Sequence, residues 1–477
     1  MKPIHELTIA EAGSALRSGA VTSVELTEAA LDRVAALDPA LHYFYLLTTE
    51  RARSDAARAD KELRAGHDRG PLHGIPYGLK DILDTAGIQT TCNSKLLLGH
   101  LPDEDSAVEA KLRAGGGVLL GKLATSEFAC GGPGDDLPYP ISRNPWHLDH
   151  YTGGSSAGSA GGVSVGFMRA AIGTDTGGST RVPAHYCGVV GLKPTYGLIS
   201  TRGVFPLAPS FDHCAPLTRS VRDMALLMNV IAGYDPRDPA SVDHQREDYT
   251  RKLGQGVRGL RIAYAREYLV TASIFPDLLA SLDRAVEIFR NLGAVVEEVA
   301  LPDFELFRAC SRVVVAAEAF AIHEETLRSR PRDYGIQTYQ RLVAGTAISA
   351  ADLVHAYGLR RDLVLAIRNV LGRYDAAVTA TGLGEPPLIA TPSQPSRMIG
   401  SPTVICSLTG NPAVSVPIGL SSKGLPFGMQ IFARHFDEAR LLQVAAALEE
   451  AVGFTDSAAG MPPIGRNVAA TRKYIDA

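Results

Sequence analysis

Two glycine-wrapped serine turns constrain this chain more than any other feature: Gly153-Gly154-Ser155-Ser156-Ala157-Gly158-Ser159-Ala160-Gly161-Gly162 and Gly173-Thr174-Asp175-Thr176-Gly177-Gly178-Ser179-Thr180-Arg181. Glycine beside serine lets the backbone turn sharply and leaves amide N–H groups free, so such a turn exposes a hydroxyl and presents donors to an oxyanion. Ser155 and Ser179 lie 24 residues apart, with a short apolar segment between them. That arrangement suggests a hydroxyl nucleophile with a second hydroxyl beside it.

The 477 residues exceed the size at which one hydrophobic core usually stops growing, yet no Pro/Ser-rich linker or charge block divides them. One large domain with subregions is therefore expected. Hydrophobic residues at 45%, charged residues at 21% and a formal net charge of −4 suit an ordinary globular protein and give no electrostatic reason to bind nucleic acid. The N-terminal Met1-Lys2-Pro3-Ile4-His5-Glu6-Leu7 carries no apolar targeting region, and no uncharged apolar run approaches the ~20 residues that span a bilayer. A cytoplasmic chain with no membrane partner is the expectation, and a homodimer is carried as the oligomer on commonness alone. The six cysteines (Cys92, Cys130, Cys187, Cys214, Cys310, Cys406) are scattered without metal-like spacing, so reduced thiols, no metal and no cofactor are expected.

Residues 8–66 read as helical, with capping boxes at Thr8-Ile9-Ala10-Glu11 and Thr22-Ser23-Val24-Glu25. From Pro71 the character changes to short β-rich runs broken by glycine, at 75–80, 117–122 and 170–172, with a helix over 106–113 between them. Alternating strands and helices argue for an α/β layered domain. A capped helix at 220–231 precedes a charged loop over 235–248, and 260–264, 277–292 and 294–299 form one βαβ-like unit. Residues 303–372 are mostly helical and suit a cap over a site. Strands return at 376–379, 413–416 and 427–431, before a closing helix over 437–451.

Several chemistries compete for this pattern. Gly154-Ser155-Ser156-Ala157-Gly158 matches GxSxG, which would make Ser156 an esterase nucleophile, but that elbow needs a strand leading into it and residues 144–152 are too polar and proline-bearing to form one. Gly116 to Lys122 approaches a phosphate-binding GxxxxGK, with Leu123 standing where a Mg²⁺-binding hydroxyl is needed. Lys80, in Gly74-Ile75-Pro76-Tyr77-Gly78-Leu79-Lys80-Asp81, either pairs with Asp81 or Asp84, or is a desolvated ammonium whose lowered pKa suits a general base. Asp175 and Arg181 flank Ser179 and read as a buried ion pair that fixes the turn.

With Lys80 and both serine turns in register, the chain resembles the amidase signature family. The resemblance runs through Gly70-Pro71-Leu72-His73-Gly74-Ile75-Pro76, Arg143-Asn144-Pro145-Trp146, both serine turns, Pro183-Ala184 and Cys187-Gly188-Val189-Val190-Gly191-Leu192-Lys193-Pro194-Thr195. It continues in Leu408-Thr409-Gly410-Asn411-Pro412-Ala413 and Gly424-Leu425-Pro426-Phe427-Gly428, so it covers nearly the whole chain. It implies an α/β fold with a mixed central sheet flanked by helices on both faces and a helical cap. The implied organisation is a single amidase domain over 1–477, divided at 66, 233 and 372. It also implies a Ser-cisSer-Lys triad: Ser179 the nucleophile, Ser155 the bridging serine after a cis peptide bond, Lys80 the base. The N–H groups of Thr176, Gly177, Gly178 and Ser179 would form the oxyanion hole.

The chain departs from the family at Thr180 after Ser179, at His185-Tyr186 before Cys187 and over one longer stretch. Where many members, including the glutamine-hydrolysing subunit of tRNA-dependent amidotransferases, carry a Met-Gly-Ser-Ser-Thr-Glu-Asn-like run beside the acyl site, this chain has Phe128-Ala129-Cys130-Gly131-Gly132-Pro133-Gly134-Asp135-Asp136. The expectation is therefore a stand-alone hydrolase of a small-molecule amide, carbamate or ester, with Cys130, Gly131, Gly132 and Thr180 at the substrate. The amidotransferase subunit is the alternative, and the GxSxG esterase the second alternative.

Overall fold

The fold is that of a computed structural model, which describes residues 2–389, 401–454 and 460–466. Among these, eleven strands make one mixed sheet: β1 (Phe44–Leu47), β2 (Pro76–Lys80), β3 (Val118–Leu123), β4 (Ala170–Thr174), β5 (Val190–Lys193), β6 (Cys214–Thr218), β7 (Arg261–Tyr264), β8 (Val295–Glu298), β9 (Ala376–Ala380), β10 (Ala413–Leu420) and β11 (Pro426–Phe432). Their order across the sheet is β1-β3-β2-β4-β6-β5-β10-β11-β9-β7-β8. β3, β2 and β4 are mutually parallel, as are β9, β7 and β8, while the strands between them pair antiparallel.

The central strands are buried on both faces, so their sequences read as continuous apolar runs rather than alternating ones. In β3, Val118 and Leu120 pack with the helix Ser23–Leu41, whereas Leu119 joins the opposite core around the helix Val221–Ile231. Both expected capping boxes form, with Thr8 accepting from Glu11 N and Thr22 from Glu25 N. The βαβ unit forms too: β7 and β8 run parallel, joined through the helix Pro276–Asn291.

Two expectations need correction. The stretch over 8–66 is not wholly helical, because β1 lies within it and pairs antiparallel with β3 at the sheet edge. Four residues are too few for a strand's two-residue period to stand out against the helices on either side. The antiparallel pair β5 and β6 at the sheet centre has no counterpart among the strands expected from the sequence.

The segment Ala157–Ser164 is a helix whose glycines serve close packing. A Cβ at Gly158 would sit 2.4 Å from the Tyr43 carbonyl oxygen, and one at Gly161 would sit 2.2 Å from the Tyr43 ring. Further along the chain, the helices Phe304–Ser329, Ile336–Val343 and Ala350–Leu371 lie between β8 and β9. All six cysteines are free. Among the described residues no single helix is long and apolar enough to cross a membrane.

Candidate active site

Lys80 is the last residue of β2, and Thr174 the last of β4, two parallel neighbours in the sheet. Lys80 is fully buried; its Nζ lies 2.6 Å from Ser155 Oγ and donates to Thr174 Oγ1 at 2.7 Å. Burial pulls the ammonium down to about 7, against the opposing pull of the Asp175 and Asp212 carboxylates. Neither acidic neighbour in sequence takes it as an ion-pair partner: Asp81 instead faces Lys122 at 3.5 Å and accepts from Thr91. Lys122, the lysine of the GxxxxGK-like run, sits in buried β3 and donates to the Leu83 carbonyl and Thr90 Oγ1, which leaves no phosphate cradle.

The peptide bond between Gly154 and Ser155 is cis. Ser126 N donates to the Ser155 carbonyl at 3.2 Å, and Ser156 N donates to the Ser179 carbonyl at 3.0 Å, so the two serine turns are joined through their backbones. Ser156 Oγ donates to the Thr174 carbonyl at 3.1 Å and accepts from Thr174 N at 3.2 Å. Its hydroxyl is thus buried and doubly used within the scaffold, and residues 144–152 form no strand leading into it. Ser179 is half-buried, and among the described residues its hydroxyl makes no hydrogen bond, with Ser155 or any other group.

Behind Ser179 the Asp175 carboxylate, fully buried, accepts from Gly178 N at 2.7 Å, Thr180 N and Arg181 N at 3.3 Å, and the Arg181 guanidinium at 2.8 and 2.9 Å. Arg181 holds that carboxyl well below the usual carboxylate range, although burial alone would raise it. The remaining Arg181 donors reach the Thr403 carbonyl, Gln430 Oε1 and Ser407 Oγ. The ion pair expected from the sequence is therefore present.

This cluster corrects the oxyanion set. Gly178 N–H is committed to Asp175 and is not free for a ligand, whereas the N–H groups of Thr176, Gly177 and Ser179 make no hydrogen bond among the described residues. Thr180 is also corrected as a substrate contact: it is fully buried and its hydroxyl donates to the Thr174 carbonyl at 3.1 Å.

Cys130 is half-buried, with a thiol pushed up to about 11 by burial. Gly131 and Gly132 have a packing reason, because a Cβ on either would come within 2.4 Å of Thr338 Oγ1 or 2.3 Å of Gln337 Oε1 on the helix Ile336–Val343. That helix also reaches the same segment through Arg341 Nη1 to the Cys130 carbonyl at 2.6 Å and Gln337 Nε2 to the Pro133 carbonyl at 2.8 Å. The helical region over 304–371 thus touches the wall that departs from the family. Sequence reasoning missed Thr174, which shares Lys80 with Ser155, and Asp212, whose Oδ1 accepts from Thr176 Oγ1 at 2.6 Å. A hydroxyl at the end of the strand that leads into a serine turn was the available signal for Thr174; nothing local marks Asp212.

A buried lysine against a serine, on a mixed sheet with two linked serine turns, is the arrangement of an amidase-type hydrolase. The model of the family described as Amidase matches residues 25–442, and the chain belongs to that family. It is 38% identical over 475 residues to a glutamyl-tRNA(Gln) amidotransferase subunit from Roseiflexus sp. (strain RS-1), covering 94% of this chain and 97% of that one. Its structure is similar, with a TM-score of 0.89 and 31% identity over 94% of this chain and 99% of the other, to a vestigial protein complex described as revealing the evolutionary origins of an s-triazine catabolic enzyme. A bacterial aryl acylamidase of the amidase signature enzymes matches with a TM-score of 0.85 and 28% identity, over 94% of this chain and 97% of its own. The Roseiflexus relative bears the name of the alternative reading.

Proposed function

We propose that this protein cleaves an amide C–N bond through an acyl-enzyme on Ser179. The observation that carries the reading is the 2.6 Å contact between Lys80 Nζ and Ser155 Oγ, made by two buried residues 75 apart in sequence. An amine whose pKa falls to about 7 is half neutral near neutral pH, so it has a lone pair to offer.

Neutral Lys80 takes the Ser155 proton while Ser155 takes that of Ser179, and Ser179 Oγ attacks the substrate carbonyl carbon. The developing oxyanion is met by the N–H groups of Thr176, Gly177 and Ser179; each such donor is worth about 3 kcal/mol at the transition state. Asp175 keeps Gly178 N–H for itself and thereby fixes the turn from which the other three point. The relay then runs backwards to protonate the leaving nitrogen, and water releases the acyl group from Ser179. The same steps accept carbamates and esters.

Two substrate readings divide on separate observations. The name and identity of the Roseiflexus relative support a glutamine-hydrolysing amidotransferase subunit that delivers ammonia to a tRNA-linked partner. The Cys130-Gly131-Gly132-Pro133 segment, latched to the helix Ile336–Val343, supports a stand-alone enzyme for another small amide. The test is a panel of glutamine, aryl amides, carbamates and esters, run with the purified chain alone and with amidotransferase partner subunits, beside Ser179→Ala. Aryl amide turnover by the chain alone supports the stand-alone enzyme, and glutamine turnover that appears only with the partners supports the amidotransferase reading. Full activity in Ser179→Ala overturns the mechanism in both cases.

A further inference from the structure

We propose that Glu318 and Arg360, two side chains of the helical region between β8 and β9, act as positioning residues for the oxyanion turn through Ser210 and Asp212. This rests on the reading of Ser179 as nucleophile and goes beyond it, because neither residue belongs to either serine turn.

The link begins at Thr176. Its hydroxyl donates to Asp212 Oδ1 at 2.6 Å, while Asp212 Oδ2 accepts from Leu207 N at 2.8 Å and Ala208 N at 2.9 Å. One carboxylate therefore ties a residue of the oxyanion turn to the loop over 207–213. Two residues away, Ser210 is held at each of its polar atoms by the helical region. Its N–H donates to Glu318 Oε2 at 3.0 Å and its hydroxyl to Glu318 Oε1 at 2.5 Å, from the helix Phe304–Ser329. Arg360, on the helix Ala350–Leu371, donates to Ser210 Oγ at 3.2 Å and to its carbonyl at 2.9 Å. The same guanidinium donates to the Leu408 carbonyl at 2.9 Å and lies 4.4 Å above the Phe211 ring.

Charge-assisted hydrogen bonds of this kind are stiff and directional, and a forked guanidinium fixes orientation as well as distance. A shift of either long helix must therefore move Ser210, and with it the carboxylate that orients Thr176. Small misplacements of donors cost rate far more than they cost binding. The helical region thus sets the reactivity of Ser179 from a distance, through Ser210 and Asp212.

The experiment is a double-mutant cycle on the full chain, read by the rate at which a fluorophosphonate labels Ser179. In that reaction the oxygen–phosphorus bond forms, the phosphorus–fluorine bond breaks, fluoride leaves, and the hydroxyl proton passes by way of Ser155 to Lys80. Thr176→Val and Arg360→Ala are each expected to lower the limiting labelling rate about tenfold and to move the half-saturating concentration less than about twofold. The double variant is expected to lose about tenfold as well, because both substitutions break one chain of contacts. Arg360→Lys, which keeps the cation and loses the fork, is expected to fall between wild type and Arg360→Ala, and it carries the cycle if Arg360→Ala does not fold. Arg361→Ala, on the neighbouring face of the same helix, is expected to label at the wild-type rate. A double variant near the hundredfold product of independent effects, a wild-type rate in Arg360→Ala, or a loss confined to the half-saturating concentration overturns the positioning role. Labelling of Ser179→Ala at the wild-type rate overturns the nucleophile assignment instead, so the two failures are distinct.

Discussion

The two serine turns look interchangeable as sequence, yet they are held by opposite kinds of chemistry. The turn around Ser155 is fixed by neutral bonds: Ser126 N to its carbonyl, Gly158 N to the Ala124 carbonyl, Ser156 Oγ on Thr174 and Ser159 Oγ on the Ile172 carbonyl. The turn around Ser179 is fixed by a buried carboxylate that accepts three backbone N–H groups and a guanidinium. The difference has an electrostatic reason. Carboxylate charge raises the pKa of Lys80, and Asp175, itself ion-paired with Arg181, does so here. A second carboxylate at the Ser155 turn would sit against Lys80 and hold it protonated. On the proposed mechanism, charge is used where N–H groups must be aimed and withheld where a proton must move.

The contrast is tested hardest at the proposed nucleophile and its base. Ser179→Ala and Lys80→Ala are each expected to lower turnover about 10⁴-fold or more, the scale found when one member of a concerted catalytic group is removed. Steady-state kinetics on any turned-over amide checks both. Residual activity within tenfold of wild type in Lys80→Ala breaks the assignment of the neutral turn to proton transfer.

Next in size is the charge behind Ser179. Asp175→Ala leaves Arg181 fully buried without its carboxylate, and removing one partner of a buried pair costs about 3–5 kcal/mol. Urea unfolding followed by circular dichroism should show a midpoint that falls accordingly. A loss below about 1 kcal/mol means that the pair is solvated and the contrast between the turns is false.

How far the sequence revealed this follows from what each feature depends on. Ser155 and Ser179 stood out because glycine and serine spacing is a local requirement of a turn, whereas Lys80, at the end of β2, read equally as the partner of Asp81 or Asp84 until the family resemblance singled it out. The commitment of Gly178 N–H to Asp175 was not legible, since glycine in a turn shows that a donor is free to point somewhere and not where it points. Thr174 and Asp212 act through partners 94 and 36 residues away, and no local period marks such a bond. The fold shows the same division. Elements with caps or a helical period were legible to within a residue or two, while β6 was not: it carries Pro216 opposite Ile172 near the sheet centre, and proline ordinarily argues against a central strand.

The pH dependence sharpens the comparison at lower magnitude. Only neutral Lys80 accepts a proton, and burial brings its pKa down to about 7. The rate of acyl-enzyme formation should therefore rise about tenfold per pH unit below that point and level off above it. Asp212→Asn removes one of the carboxylates that pull the pKa upward, so the midpoint should move to lower pH. A midpoint that stays fixed, or moves upward, shows that the charge near Ser179 does not reach the base.

The smallest effect is expected at Ser156, which stands next to the proposed relay serine and in the GxSxG pattern. Its hydroxyl bonds both polar groups of the Thr174 backbone and, among the described residues, makes no hydrogen bond to another side chain. Ser156→Ala removes those two bonds at the end of β4, at a net cost of about 1 kcal/mol each or less, because Thr174 is also paired across the sheet with Cys214. A melting temperature lowered by a few degrees with turnover within about threefold of wild type is the expected result. Abolished turnover with an unchanged melting temperature would transfer the nucleophile from the charged turn to the neutral one, and the division of labour between them would have to be reversed.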